Sequence, residues 1–209
     1  TYFLKVVSTN IAKPTTIEWN GEKLETGIYK IPVSNSIYLG KNDVNNDSVI
    51  DRKDHGGEHK ACYFYSASHY AHFKDLYPKL DWKYGMFGEN ITIDTFEETN
   101  IRIGDTFKIG TAIIQVSEPR QPCFKLGVRF NTQKILKDFI QSSYSGFYVR
   151  ILQEGEVKIG DNLTLIERNP NDISVEDVFS LLSYNKDNQL LKQAIKEEPL
   201  LSEKYKSFI

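Results

Sequence analysis

Short runs of alternating apolar and polar positions punctuate this chain, each closed by a Gly, Asn or Asp turn. Residues 2–8 (YFLKVVS) carry aromatic and β-branched side chains and predict a strand. Residues 15–19 and 28–33 read the same way, with Asn20-Gly21 as the turn between them. A short strand is predicted over 36–39 and another over 91–93. Residues 106–109 and 112–116 make a hairpin around Gly110-Thr111, and 147–152 and 162–166 flank the Glu154-Gly155 turn. Many short strands of this kind predict a mainly β, α+β architecture: a barrel or a sandwich with a few helices.

Helical spacing appears in fewer places. Over 66–76, Tyr70, Phe73 and Tyr77 recur on one face, Ser66 or Ser68 offers a cap and Pro78 stops the run. Over 131–141, Ile135, Leu136, Phe139 and Ile140 share a face behind Asn131 as cap. After Arg168 the character changes. Residues 169–172 (NPND) read as a linker, and Ser174 with Asp177 has capping-box spacing ahead of Val175, Val178, Phe179 and Leu182. Residues 187–196 and 199–207 predict two further helices, the second opened by Pro199. The boundary falls near 168, with a β domain over 1–168 and a small three-helix domain over 169–209.

Composition narrows the function. The chain of 209 residues is 40% hydrophobic, enough to bury a core, and its net charge of -2 gives no general pull towards nucleic acid or anionic membrane. No stretch has the length of a membrane span and no charged start leads into an apolar signal segment. Two cysteines are too few for a complete iron–sulfur ligand set or a secreted disulfide scaffold, so a reducing cytoplasm is expected.

Candidate chemistry concentrates in Glu118-Pro119-Arg120-Gln121-Pro122-Cys123-Phe124-Lys125-Leu126. Two prolines stiffen the stretch and place Cys123 on a loop at a strand end. Arg120, Lys125 and Arg129 surround it in sequence, and neighbouring cations favour a thiolate, the form that binds metal and attacks electrophiles. The competing reading is a small buried apolar cysteine. A polar loop over 41–59 ends in His55-Gly56-Gly57, with Lys60 just beyond. Glycines there let backbone amides approach an anion, and the alternative is a tight turn beside a structural histidine. Cys62 lies among apolar residues and reads as packing, while His69 and His72 read as helix-surface or interface residues.

Four segments in register resemble the MOSC family: Asp54-His55-Gly56-Gly57-Glu58-His59-Lys60-Ala61-Cys62, Phe87-Gly88-Glu89-Asn90-Ile91, Gly104-Asp105, and the stretch ending Cys123-Phe124-Lys125-Leu126. The likeness spans about 34–166 and is strongest to the stand-alone bacterial YiiM type, whose three-helix C-terminal domain the trailing helices resemble. The resemblance implies a β-barrel that binds a molybdopterin-type molybdenum cofactor, with Cys123 as the thiolate on molybdenum. It implies phosphate contacts from His55, Gly56, Gly57, Lys60, Arg120 and Lys125, and contacts from Glu89 and Asn90 to the pterin edge or the substrate. Lys60 stands where the family usually has Arg, a point charge in place of a bidentate fork. The implied activity is reduction of small N-hydroxylated compounds such as hydroxylaminopurines, hydroxylamines or amidoximes. An external electron-donor protein would be the partner. A cofactor or sulfur carrier without reductase activity is the alternative. A thiol hydrolase pairing Cys123 with His55 ranks last. The near balance of charge over 174–209 gives no basic face for nucleic acid, so those helices read as a docking or dimerisation appendage, consistent with a homodimer.

Overall fold

A computed structural model describes residues 4–50 and 56–209. Seven strands close into a barrel: β12 (Asn162–Glu167), β8 (Thr106–Ile109), β9 (Ala112–Pro119), β10 (Phe147–Gln153), β6 (Cys62–Ser66), β7 (Ile91–Ile93) and β1 (Leu4–Ile11), with β1 pairing back to β12. Every pair in the ring is antiparallel except β6 with β7. Closure removes the sheet edges that would otherwise need covering. Strand β4 (Ile31–Val33) adds outside the ring along β1, while β2 (Thr15–Trp19) pairs with β3 (Glu22–Thr26) and β5 (Ile37–Leu39) with β11 (Gly155–Val157). Among the described residues no helix is long and apolar enough to cross a membrane.

Strand β6 explains how the molecule is layered. Its five residues are all buried, and alternation sends Cys62 and Phe64 into the barrel interior while Tyr63 and Tyr65 face outwards. The outward face is covered by helices α1 (Tyr70–Leu76), α2 (Phe124–Arg129) and α3 (Lys134–Ser142), which contribute Tyr70, Phe73, Leu126, Ile135 and Phe139 to a second, aromatic core. Phe87 sits at its centre, 4.4 Å from the Tyr65 ring and 4.9 Å from the Phe73 ring. A strand buried on both faces has no polar alternation, which is why the sequence pattern passes over it.

Several boundaries differ from expectation. The partner of β2 across Asn20-Gly21 is β3, not 28–33, because the turn allows immediate return pairing from Trp19 to Glu22. Residues 124–129 are helical, where a loop was expected. Helix α3 begins at Lys134, and Asn131 adopts a left-handed φ of 55° in the turn before it. A 3-10 turn over Ala67–His69 precedes α1, and neither Ser66 nor Ser68 caps it. Tyr2 belongs to residues outside those described.

The trailing helices α4 (Val175–Ser180), α5 (Gln189–Glu197) and α6 (Glu203–Lys206) start at Ser174, Asn188 and Ser202, whose side chains each accept an amide hydrogen bond. Ser174 and Asp177 form the reciprocal capping box. Pro199 lies ahead of α6 and not at its first turn, because Ser202 supplies the cap. Val175, Val178, Leu181, Ile195, Leu201 and Tyr205 extend the core of the barrel itself. Asp105, fully buried, fixes the junction by accepting from Arg102 N at 2.9 Å, Asn169 N at 3.0 Å and Arg168 Nη1 at 2.8 Å. Asp105→Ala strands those donors and is expected to cost on the order of 3 kcal/mol. Urea unfolding measures it, and hydrogen exchange should show the loss concentrated in residues 169–209.

Candidate functional site

Strand β9 carries the chain to a bulge at its end. Tyr148 pairs with Glu118 but Val149 with Val116, so Ser117 is the extra residue. A bulge re-aims the side chains that follow it. Beyond it, Arg120 to Cys123 run without regular structure, and Cys123 takes an extended conformation (φ -126°, ψ 169°) immediately before α2. Cys123 is half-buried, whereas Cys62 is 1% exposed and burial pushes its thiol up.

Cys123 faces a cleft of about 620 Å³, counting its open mouth. Among the described residues, four cationic side chains line it, Lys30, Lys60, Arg120 and Lys125, with one carboxylate, Asp47. Each cation has partners in or behind the wall. Arg120 is 5% exposed, donates from Nη1 to the Phe87 carbonyl and lies 5.0 Å from the Tyr63 ring centroid. Burial opposes its charge, but Tyr148, Tyr63, Cys123 and Glu89 outweigh that and hold its pKa above the ordinary arginine value. The neighbouring phenols stay neutral: burial pushes Tyr63 well up and Tyr148 up to about 12. Lys30 donates to Asp47 Oδ2; burial lowers its pKa and Asp47 counters the effect. Lys60 Nζ lies 3.2 Å from Glu118 Oε1 and 5.6 Å from the Tyr148 ring centroid. Lys125 Nζ is 5.9 Å from the Phe124 ring, which stacks on Trp19 of the β2–β3 hairpin at 5.0 Å.

Two glycines make the cleft concave. A Cβ at Gly27 would stand 1.7 Å from the Ser48 carbonyl oxygen, and one at Gly88 (φ +78°) would stand 3.2 Å from Arg120 Nη1. Only glycine lets these segments lie so close.

The structure therefore brings Cys123, Lys60, Asn90, Arg120 and Lys125 to one cleft. Asn90 enters its wall with its amide occupied: Nδ2 donates to Asp47 Oδ2 at 2.8 Å and Oδ1 accepts from Tyr63 N at 3.2 Å. Glu89 does not line the cleft. It is fully buried and accepts from Tyr70 Oη, Gly85 N, Phe87 N and Thr92 Oγ1, so its carboxylate is consumed in shaping the 85–90 turn that offers the Phe87 carbonyl to Arg120. Gly56 and Gly57 also lie off the lining; Gly57, at φ +96°, opens the 3-10 turn Glu58–Lys60 that delivers Lys60. His55 falls outside the described residues. His69 is buried, not on the helix surface: it stacks on Tyr144 at 4.0 Å and its Nε2 lies 2.9 Å from Glu98. Lys30, Asp47, Tyr63 and Tyr148 were not foreseen. Tyr63 and Tyr148 meet only through the β6–β10 register, which no local motif announces.

The donor set bears on what the cleft can hold. Among the described residues no three of His, Cys, Asp and Glu cluster as a metal cage, and the cleft offers one sulfur, surrounded by cations. A soft metal carried in an organic, anionic cofactor fits such a lining, since it takes one protein thiolate and presents phosphate to the cations.

A closed barrel with this cysteine-bearing cleft defines a MOSC domain, and the MOSC domain family model matches residues 51–164; the chain belongs to that family. It is 37% identical to the uncharacterized protein YflK of Bacillus subtilis, over 97% of this chain and 91% of that one. It is 32% identical to a protein named "Reductase" from Gibberella moniliformis, over 71% of this chain but 27% of the longer relative. The crystal structure of YiiM from Geobacillus stearothermophilus superposes with a TM-score of 0.82 at 32% identity, covering 98% of this chain and 96% of that one.

Lys30→Met would leave Asp47, 1% exposed at its side chain, without its counter-charge. A loss of about 3–5 kcal/mol is expected in urea unfolding, with part recovered in Lys30→Met/Asp47→Asn. A second expectation concerns His59, whose Nδ1 accepts from Arg150 Nε at 3.0 Å. Arginine has no acceptor, so the neutral ring carries its proton on Nε2. Burial, then the Arg150 charge, lowers the pKa of His59 below its ordinary 6.5. A lowered histidine binds fewer protons folded than unfolded, so its contribution is complete above 6.5 and is lost as pH falls from there towards the lowered value. NMR titration should give a midpoint below 6.5 that rises in Arg150→Met.

Proposed function

We propose that this protein is a molybdenum-cofactor-dependent reductase of small N-hydroxylated compounds. The observation that carries the reading is Cys123, half-buried in a cleft whose wall also carries Lys30, Lys60, Arg120 and Lys125. Membership of the MOSC family, linked to molybdenum cofactor, and the reductase among the relatives support it.

In this reading Cys123 Sγ is the protein ligand to molybdenum, and Lys60, Arg120 and Lys125 take the cofactor's phosphate. The bound metal supplies two-electron redox chemistry, and the overall reaction consumes two electrons and two protons per N–OH, giving N–H and water. The protein's own part is to bind, orient and keep charge in place. Arg120, fixed by the Phe87 carbonyl and kept charged by its neighbours, holds positive charge beside the sulfur throughout. Tyr63 and Tyr148, both buried and neutral, supply flat walls. Electrons come from a separate donor protein, and Glu89 acts through the 85–90 turn without touching a ligand.

The test is purification from a cofactor-competent host, followed by metal analysis and turnover of a hydroxylamine or amidoxime with an artificial electron donor. Wild type should carry molybdenum and reduce the substrate. Cys123→Ser should lose both, the rate by a factor on the order of 100 or more. Undiminished turnover in Cys123→Ser overturns the ligand role. A persulfide on Cys123 with no molybdenum favours a sulfur carrier instead.

A further inference from the structure

We infer that the C-terminal segment is a working part of the cleft, with Ser202 as a positioning residue that acts through Glu118 on Lys60. This rests on reading the cleft as the seat of an anionic, phosphate-bearing ligand, and it names the part of the chain that sets one of the phosphate cations.

The connection is continuous. Ser202 Oγ donates to Glu118 Oε2, and the other oxygen of that carboxylate, Oε1, lies 3.2 Å from Lys60 Nζ. Ser202 and Glu118 are both buried, at 4% and 2% exposure, so this carboxylate is held from both ends away from bulk water. The same serine hydroxyl accepts Tyr205 N at 3.1 Å and thereby starts α6. Its single proton is committed to Glu118 and one of its lone pairs to the helix.

The bulge at Ser117 is what lets a barrel strand take part. The extra residue turns two consecutive side chains to the segment before the cleft: Ser117 Oγ donates to the His59 carbonyl while Glu118 takes Lys60. Arg150 closes a second tie to the same place. Its Nη2 donates to the Leu200 carbonyl and its Nε to His59 Nδ1, the residue before Lys60. Residues 200–202 thus hold the 58–60 turn through two routes, one by Arg150 and one by Glu118.

The physical effect follows from charge sharing. A carboxylate with a hydroxyl on one oxygen has a fixed plane and less charge left for the other oxygen. Lys60 then stays at the cleft wall, over the Tyr148 ring and beside Glu118. Without the hydroxyl, both carboxylate oxygens turn to the ammonium and draw it back from the cleft. Phosphate loses a partner although no cleft residue has changed.

The measurement is calorimetric titration of inorganic phosphate into cofactor-free protein: wild type, Lys60→Met, Ser202→Gly, Ser202→Thr and Lys60→Met/Ser202→Gly. Glycine is tolerated at a helix N-cap, so Ser202→Gly removes the hydroxyl while α6 keeps its start. Lys60→Met should weaken phosphate about tenfold. Ser202→Gly should weaken it about threefold, and the double variant should be no weaker than Lys60→Met, because the two act through one group. Ser202→Thr, which keeps the hydroxyl, should bind as wild type does. Wild-type affinity in Ser202→Gly, additive losses in the double variant, or no phosphate binding by wild type overturns the inference. Molybdenum content separates this from the reductase reading. Intact phosphate coupling in a protein that leaves a cofactor-competent host without molybdenum removes the reductase and keeps the relay. Molybdenum with no coupling does the reverse.

Discussion

A buried guanidinium is the constraint around which the rest is arranged. Arg120 cannot shed its proton, so a chain that buries it must supply compensation from several directions. The compensation here is one carbonyl, from Phe87, and the face of the Tyr63 ring. Each of these needs its own support. Phe87 offers its carbonyl because Glu89 ties the amides of Gly85 and Phe87 into a turn, and Gly88 leaves room for the guanidinium. Tyr63 and Tyr148 are a cross-strand pair, with rings 4.9 Å apart, set by the β6–β10 register. Barrel, turn and aromatic layer therefore converge on keeping one positive charge beside one sulfur.

This explains why the motifs could be found without their division of labour being visible. Phe87-Gly88-Glu89-Asn90 looks like a binding motif because it contains an acid and an amide. In the fold both are spent on the protein: Glu89 on the turn, Asn90 on Asp47 and Tyr63. Gly104-Asp105 likewise serves the junction with the trailing helices. A carboxylate's residue type records that it needs donors, not whether those donors are a ligand or the backbone. Cys123 stood out as a candidate because two prolines, two cations and a strand end coincide locally. Lys30 and Asp47 were not, because they meet across 17 positions only after the β2–β3 hairpin and the 41–50 loop have packed on the barrel.

A face that meets water made several elements legible, while β7, buried throughout, was found from the Phe87-Gly88-Glu89-Asn90 stretch that leads into it. Strands β2, β8 and β12 and helices α3 and α5 have such a face and were found from their pattern. Strand β6 has none, since its two faces enter two different cores. Helix α2 was hidden for another reason: the prolines before it announce only a loop, and no capping pattern of the kind at Ser174 marks its start.

The trailing helices show how far local signals reach. Asn188 and Ser202 accept cap amide bonds that the sequence reading did not foresee, but the cap at Ser174 is written in the sequence. The destination of these helices is not. A serine that caps a helix is fully accounted for by that role, so nothing in the pattern says that its proton goes to Glu118. Yet the core that α4, α5 and α6 complete is the barrel's own, and the segment between α5 and α6 bonds to Arg150 and Glu118, which in turn hold the turn that presents Lys60. Chain that looks like an appendage in sequence is packed against the back of the cleft. In the proposed relay a change that loosens it reaches the cation wall through Glu118, because a buried carboxylate that loses one donor must find another.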